Sequence, residues 1–338
     1  EAKLVAEKLR LALSAPYQLN GHHYHTTPSI GIVIFPFDNE TAGDVLKHAD
    51  TAMYRAKAAG RDTIRFYRPS MQQAADQRLS LEKDLRSALE KNQFELHYQP
   101  LLDNNNQLIG SEALLRWQHP DQGWVSPETF IPVAEESGLI LMIGDWVMQQ
   151  AIAQLKQWQQ HDWSRQTGFL AINISARQFH QANFVGNITR ILQQQQVNPD
   201  RLKLELTESL VIENIADTVT KMEALRELGV RIAIDDFGTG YSSLAYLKRL
   251  PIDQIKIDKS FVLDLTEDSN DAVIVETIIS MANHLSLGII AEGVETEAVL
   301  NTLKAKQCNI FQGYYFSKAL PRNEFEQYAH TIGSVEPS

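Results

Sequence analysis

From Phe94 onward the chain repeats one pattern: a short run of strand-forming residues, then a stretch long enough for a helix, then another short run. The runs are FELHYQPL (94–101), QLIGSEALLRW (107–117), FLAINIS (169–175), LKLELT (202–207), RIAIDD (231–236), QIKID (254–258), GIIAEG (288–293) and a last one near 310–316. Stretches 140–159, 215–228 and 270–285 between them are amphipathic and of helical length. Strand–helix alternation sets successive strands parallel, and eight such runs predict an α/β fold, a closed (β/α)8 TIM-type barrel. The first gap breaks the rule. DNNNQ (103–107) is too short for a crossover helix, so the first two strands should pair antiparallel and modify the barrel at its start.

Upstream, residues 1–68 read as a helix already under way (Leu4, Val5, Leu9, Leu13), a strand at 29–35, a helix at 42–59 and a strand at 63–67. Gly31, Pro36 and Gly60 punctuate them. So few elements make a marginal core, which predicts a partial α/β segment of a larger domain, with the sequence starting inside it. Residues 69–92 carry Leu81, Leu85 and Leu89 at four-residue spacing, a linker helix with one apolar face. The expected division is 1–68, 69–92, a barrel at 93–330 and a tail at 331–338.

Composition narrows the function. An apolar fraction of 43% with 22% charged residues is that of a globular chain. A net charge of −11 argues against general DNA, RNA or anionic-membrane binding. Cys308 is the single cysteine, so no disulfide can form within the chain, which fits a reducing, cytoplasmic compartment. The longest strongly apolar stretch, 138–148, is interrupted by Gly144 and Asp145 and is too short to span a bilayer.

In barrels of this kind reacting groups sit at the C-terminal ends of strands. Those ends hold Glu112, Asn173, Glu205, Asp235 with Asp236, Lys256 with Asp258, Glu292 and Gln312. Each has an ordinary explanation when taken alone: a strand-end acid caps the next helix, Lys256 is a rim charge, Glu208 is first-turn helix charge. The conjunction is different. At least five acidic groups at one mouth repel one another unless cations neutralise them. The oxygen set of Glu112, Asn173, Glu205, Asp235 and Asp236 suits Mg²⁺ or Mn²⁺ rather than zinc, which favours His and Cys. Phe237-Gly238-Thr239-Gly240 can bend the chain after the paired aspartates, letting both approach the mouth. One of them could then bridge two ions, the arrangement used for in-line displacement at phosphorus, with Lys256 balancing charge or positioning water.

These residues lie in a series of motifs: YQPLL, EALLRW (112–117), HPDQGWVSPETFIPVAEESGLI, NIS, ELTES, DDFGTGYSSL, IKIDKSF, AEGVE and QGYYFSK. In that order they resemble the EAL-domain c-di-GMP phosphodiesterases over nearly all of 81–330. The resemblance implies metal-dependent hydrolysis of c-di-GMP to pGpG, with two Mg²⁺ or Mn²⁺ ions. Glu112, Asn173, Glu205 and Asp235 would hold the first ion, and Asp235 and Asp236 the second, with Glu292 a further ligand or a base acting through water. Lys256 would contact the nucleophilic water. Gln99, Arg116, Asp258 and Gln312 would contact substrate, Arg116 through a phosphate. Glu208 would tether the DDFGTGYSSL loop, and Glu295 would support the site from behind. Ala319 and Asn309 depart from the family's usual proline and aspartate without touching these positions. Degenerate members of the family bind c-di-GMP without cutting it, so a non-catalytic c-di-GMP receptor is the alternative.

The segment 1–68 resembles the C-terminal half of a GGDEF (diguanylate cyclase) domain through PSIGIVIFP and LKHADTAMYRAKAAGRDTIRFY. Its signature loop is absent, so no cyclase activity is expected. Lys57 and Arg61 fall where that family has phosphate-contacting cations, but their i, i+4 spacing also fits a solvated helix face. The two resemblances together imply a GGDEF–EAL tandem, a homodimer through the barrel, and upstream sensory segments that could anchor the protein to the inner membrane.

Overall fold

The structure is a computed structural model that describes residues 1–19, 22–35, 41–161, 163, 168–239, 247–266 and 269–333. Contacts divide the chain into two units, Glu1–Asp84 and Leu85–Ser338.

In the first unit, α1 (Ala2–Ser14) is followed by an antiparallel pair, β1 (Tyr17–Leu19) and β2 (His22–Tyr24). β3 (Ile30–Ile32) and β4 (Ile64–Phe66) pair parallel, joined through α2 (Ala42–Ala58), which packs on both. A capping box starts α2: Thr41 accepts from the Asp44 backbone, and Asp44 bonds back to the Thr41 amide. Leu4, Val5, Leu9, Leu11 and Leu13 on α1 remain exposed, because two-stranded sheets offer too little surface to cover them. The unit boundary falls within α3 (Pro69–Ala88), where Leu81 of the first unit and Leu85 and Ala88 of the second are buried.

The second unit begins with β5 (Phe94–Asp103), β6 (Leu108–His119) and a short β7 (Gly123–Val125), then α4 (Pro127–Ser137) and α5 (Ile140–Trp158). β8 (Phe169–Ile174), α6 (Ala176–Phe179), α7 (Phe184–Gln195), β9 (Leu202–Thr207), α8 (Glu208–Glu213) and α9 (Ile215–Glu227) follow. The rest comprises β10 (Arg231–Phe237), β11 (Gln254–Ile257), α10 (Lys259–Leu263), α11 (Ser269–His284), β12 (Gly288–Ala291), α12 (Glu297–Ala305), β13 (Ile310–Phe311), β14 (Leu320–Pro321) and α13 (Arg322–Gly333). Among the described residues no helix is long and apolar enough to cross a membrane.

Eight of these strands close a ring in the order β5-β6-β8-β9-β10-β11-β12-β13 and back to β5. β5 runs antiparallel to both its neighbours, and every other step of the ring is parallel. The reversal is local chemistry: the Asp103 carboxylate accepts from the amides of Asn105 and Gln107, and Asn106 takes a left-handed φ of 57°. The last run is shorter than expected and ends at Phe311, because the next residues leave the barrel to bond the segment after β12.

Period-two alternation divides each strand. Ile172, Ile174, Leu204, Leu206, Ile232, Ile234, Ile255 and Ile257 face the helices and belong to the large outer core. The alternate positions face the barrel axis, where Leu101, Phe169, Ala171 and Ile290 form a small apolar plug. One step further along the barrel, toward the C-terminal ends of the parallel strands and the N-terminal end of β5, stand the polar groups of the site.

Candidate active site

Two residues beyond the plug, Ala171 gives way to Asn173 and Ile290 to Glu292. The same inward register carries Glu112 on β6, Glu205 on β9, Asp235 on β10 and Lys256 on β11, so seven strands contribute once Gln99 on β5 is counted. Asn173 lies opposite Glu205 across β8–β9, and Gln99 opposite Glu112 across β5–β6. Gln312 follows directly after β13.

Lys256 is at the centre. Its Nζ lies 2.5 Å from Glu292, 2.7 Å from Glu205, 3.1 Å from Asp235 and 3.4 Å from Glu112, and the lysine is 1% exposed. Burial acts to discharge this ammonium, but Asp235 and the three glutamates outweigh it and hold its pKa well above the ordinary lysine value. Glu112 also accepts from Asn173 Nδ2 at 2.6 Å and Gln312 Nε2 at 2.7 Å. Burial would raise its carboxyl; Lys256 and these donors prevail and hold it below the usual range. Glu205 and Glu292 go the other way. Both are pushed up, first by burial and then by neighbouring carboxylates that Lys256 only partly offsets.

Asp236 completes the acidic set. The β10–β11 register breaks between Ile234 and Phe237, and Asp236 within that bulge has a φ of 53°. Strict alternation would send neighbouring carboxylates to opposite faces; the bulge brings both to one mouth. Asp235, Asp236 and Glu292 each offer a carboxylate oxygen within 4.8 Å of the others. Burial first, then Asp235 and Asp258, push Asp236 up to about 6.

Four carboxylates thus share one ammonium, a fifth, Asp236, lies beside two of them, and Glu205 Oε1 is buried with no hydrogen-bond partner among the described residues. A hard divalent cation fits this donor set, since it supplies the missing positive charge and prefers oxygen ligands.

Three comparisons bear on this arrangement. The EAL domain model matches residues 82–319, and the model for the diguanylate cyclase GGDEF domain matches residues 1–63. The chain belongs to the EAL domain family. It is 43% identical over 328 residues to the bifunctional diguanylate cyclase/cyclic di-GMP phosphodiesterase MucR of Pseudomonas aeruginosa, covering 96% of this chain and 47% of that protein. It is 36% identical over 324 residues to the cyclic di-GMP phosphodiesterase PdeR of Escherichia coli, covering 96% and 49%. The chain therefore spans about half the length of these curated relatives. Among solved structures it resembles the PaMucR phosphodiesterase in its c-di-GMP complex, with a TM-score of 0.71, 43% identity, and coverage of 73% of this chain and 99% of that one. It also resembles the FimX EAL domain from Pseudomonas aeruginosa bound to c-di-GMP, with a TM-score of 0.64, 26% identity, and coverage of 70% and 95%.

In this EAL domain a cavity of about 390 Å³ opens over the carboxylates, bounded by Gln99, Gln312, Glu295, Tyr314, Leu114 and Lys259, among others. Gln99 and Gln312 bond one another at 3.1 Å, and Gln99 Nε2 also donates to the Ser317 carbonyl. Arg116 is half-buried, donates to its neighbour's carbonyl on Leu115, and makes no ion pair among the described residues; burial lowers its pKa. Asp258 accepts from the Ser260 amide and caps α10, beside Asp236. Glu208 is buried, and its Oε2 accepts from the Gly238 amide at 3.3 Å, reaching the start of the DDFGTGYSSL segment. Residues 240–246 of that segment lie outside the described residues.

Glu295 is the one clear relocation. It stands exposed on the cavity wall rather than behind the site, because the chain turns outward after Val294. Sequence reading also passed over Leu114, Lys259, Leu263 and Tyr314, which line the cavity. Leu114 was signalled by the inward register it shares with Glu112, and Tyr314 by its place two residues after Gln312.

Proposed function

We propose that this EAL domain hydrolyses c-di-GMP to linear pGpG with the help of divalent cations. The observation that carries the reading is the convergence of Glu112, Glu205, Asp235 and Glu292 on a single buried ammonium, with Asp236 beside Asp235 and Glu292, beneath an open cavity. Relatives named as cyclic di-GMP phosphodiesterases, and a c-di-GMP complex of the same fold, support the choice of substrate.

Glu112, Asn173, Glu205 and Asp235 would hold one Mg²⁺ or Mn²⁺, and Asp235, Asp236 and Glu292 a second. Bound there, the ions supply positive charge to the phosphate and acidity to water. The protein's own groups do the rest. Arg116, which makes no ion pair among the described residues, presents a planar fork suited to a phosphate oxygen. Gln99, Gln312 and Asp258 flank the position of the diester. Lys256 donates toward the attacking water, and Glu292, where it is not itself an ion ligand, takes the water's proton. The water oxygen bonds to phosphorus as one ester P–O bond breaks, and the departing sugar oxygen takes up a proton. The ring opens once, leaving a linear dinucleotide with one terminal phosphate.

Chromatography of c-di-GMP incubated with the protein and Mg²⁺ or Mn²⁺ tests this. Wild type yields pGpG, while Glu112→Ala, folded by circular dichroism, yields none. Tight binding without product would instead establish a receptor. The same reading includes a homodimer formed through the barrel and control by segments upstream; sedimentation of this chain tests the first.

A further inference from the structure

The first unit holds a cavity that the barrel chemistry does not use. About 290 Å³ in volume, it is lined by Lys3 of α1, by Ile64, Arg65 and Phe66 of β4, and by Arg68 and Met71 where α3 begins. Half of that lining is cationic and none of it acidic, in a chain whose net charge is −11. Among the described residues Lys3, Arg65 and Arg68 make no ion pair. Glu7, one turn along α1 from Lys3, is already engaged: Arg10 holds its carboxylate at 2.7 Å, and Lys3 acts on it least of its neighbours. Arg10 also reaches Asp62 at 2.7 Å, fastening the far end of α1 ahead of β4.

The backbone that presents the two arginines is held in place. β4 pairs with β3 along its length, and the Tyr67 amide extends the ladder by donating to the Ile32 carbonyl at 2.7 Å. The Tyr67 ring stacks on His48 of α2, with centres 4.0 Å apart. Pro69 then opens α3, and the Met71 amide turns back to the Arg68 carbonyl at 2.8 Å. α3 has no acid in its first turn, so the positive end of a 20-residue helix borders the same cavity. Cations scattered over a surface need no ligand. Three around one cavity, beside a helix N-terminus and with no acid among them, repel one another until an anion is supplied. Guanidinium forks match phosphate oxygens, and Ile64, Phe66 and Met71 leave an apolar wall for the rest of a ligand.

We propose that this cavity binds a small organic phosphate, with Arg65 and Arg68 taking the phosphate oxygens, Lys3 balancing the remaining charge and the apolar wall receiving the organic body. Neither Lys57 nor Arg61 lines it, and all of its lining belongs to the first unit. The site therefore stands apart from the barrel mouth and does not depend on the hydrolytic reading.

Calorimetric titration of the full chain with phenyl phosphate and with inorganic phosphate, both in EDTA, tests this. EDTA removes divalent ions through which a phosphate would otherwise bind at the barrel mouth. Phenyl phosphate is expected to fill one site with a Kd of about 1 mM or tighter, and inorganic phosphate to bind more weakly for want of apolar contact. Arg65→Gln and Arg68→Gln, each folded by circular dichroism, should each weaken phenyl phosphate by roughly tenfold, and the double variant should abolish binding. Lys57→Gln removes a cation of the same unit that lies off the cavity, and its Kd should stay within about twofold of wild type. No saturable binding by wild type, a double variant that binds as wild type does, or an equal loss in Lys57→Gln would overturn the site. Inorganic phosphate bound as tightly as phenyl phosphate would overturn the organic part of the assignment.

Discussion

The Nζ of Lys256 lies 2.7 Å from the Glu205 carboxylate, and neither side chain reaches solvent. A pair so buried stabilises only if its remaining valences are met; three further carboxylates compete for the lysine's one charge, while Glu205 Oε1 has no partner among the described residues. The barrel mouth is thus held together by a lysine with too many partners. That imbalance is the physical signature of a site built around more positive charge than the chain supplies.

Removing the lysine should expose it. Lys256→Met in the presence of EDTA is expected to lose about 3–5 kcal/mol of stability, the cost of leaving buried carboxylates without their counter-ion. Urea unfolding measures this. Mg²⁺ should recover part of the loss, and a variant as stable as wild type without metal would argue that the carboxylates are neutral.

The acidic set also predicts an unusual pH response. Asp236 is pushed up to about 6 from an ordinary 3.8, chiefly by burial and then by Asp235 and Asp258. The folded protein therefore keeps a proton that the unfolded chain releases between those values. Its stabilising contribution is complete below about pH 4 and lost as pH rises through about 6. Glu292, raised in the same sense, extends the loss to higher pH. In EDTA the urea midpoint should fall between about pH 5 and pH 8, and Mg²⁺ should flatten the fall. An EDTA profile that rises over this range contradicts the assignment.

A second buried lysine sits below the first. Lys203 on β9 is 1% exposed, bonds the Gln254 side chain, and places its Nζ 3.1 Å from the centre of the Phe169 ring. Burial drives its pKa well below the ordinary value. A methionine fills similar space without the cost of burying an amine, so Lys203→Met should match or exceed wild type in thermal midpoint. A drop of several degrees would show that the amine is needed where it is.

Cys308 is fully buried, and burial pushes its thiol up to about 12. The thiolate is the reactive species, so the native protein should not react with a chromogenic disulfide reagent at pH 8, and should react once in denaturant. Reaction at native conditions would place this residue in a region that opens locally.

Much of this was legible in the sequence because barrel strands announce themselves by alternation with helices. The run RIAIDD (231–236) read as a strand and is one, with Ile232 and Ile234 in the outer core. Asp235 was legible as an inward strand-end acid. Asp236 was not placed by the same logic: alternation turns it away, and only the bulge and its left-handed backbone bring it back. Gly238 just beyond it also takes a positive φ, of 101°, and Gly240 lies outside the described residues. Lys203 shows the opposite failure. Nothing in LKLELT marks it as buried, yet the strand is covered on both faces, so every inward position is buried whatever its chemistry. The short loop at 103–107 gave the antiparallel start of the barrel directly, whereas the position of Tyr314 depends on a close approach between Gly313 and Val294 that no local pattern encodes.

The most direct measurement of the central claim is mass spectrometry of the product formed from c-di-GMP in ¹⁸O-labelled water, with Mg²⁺ or with EDTA. The account predicts linear pGpG carrying a single ¹⁸O on its terminal phosphate when Mg²⁺ is present, and unreacted c-di-GMP in EDTA. Cleavage that continues in EDTA, or a linear product without the label, would contradict it.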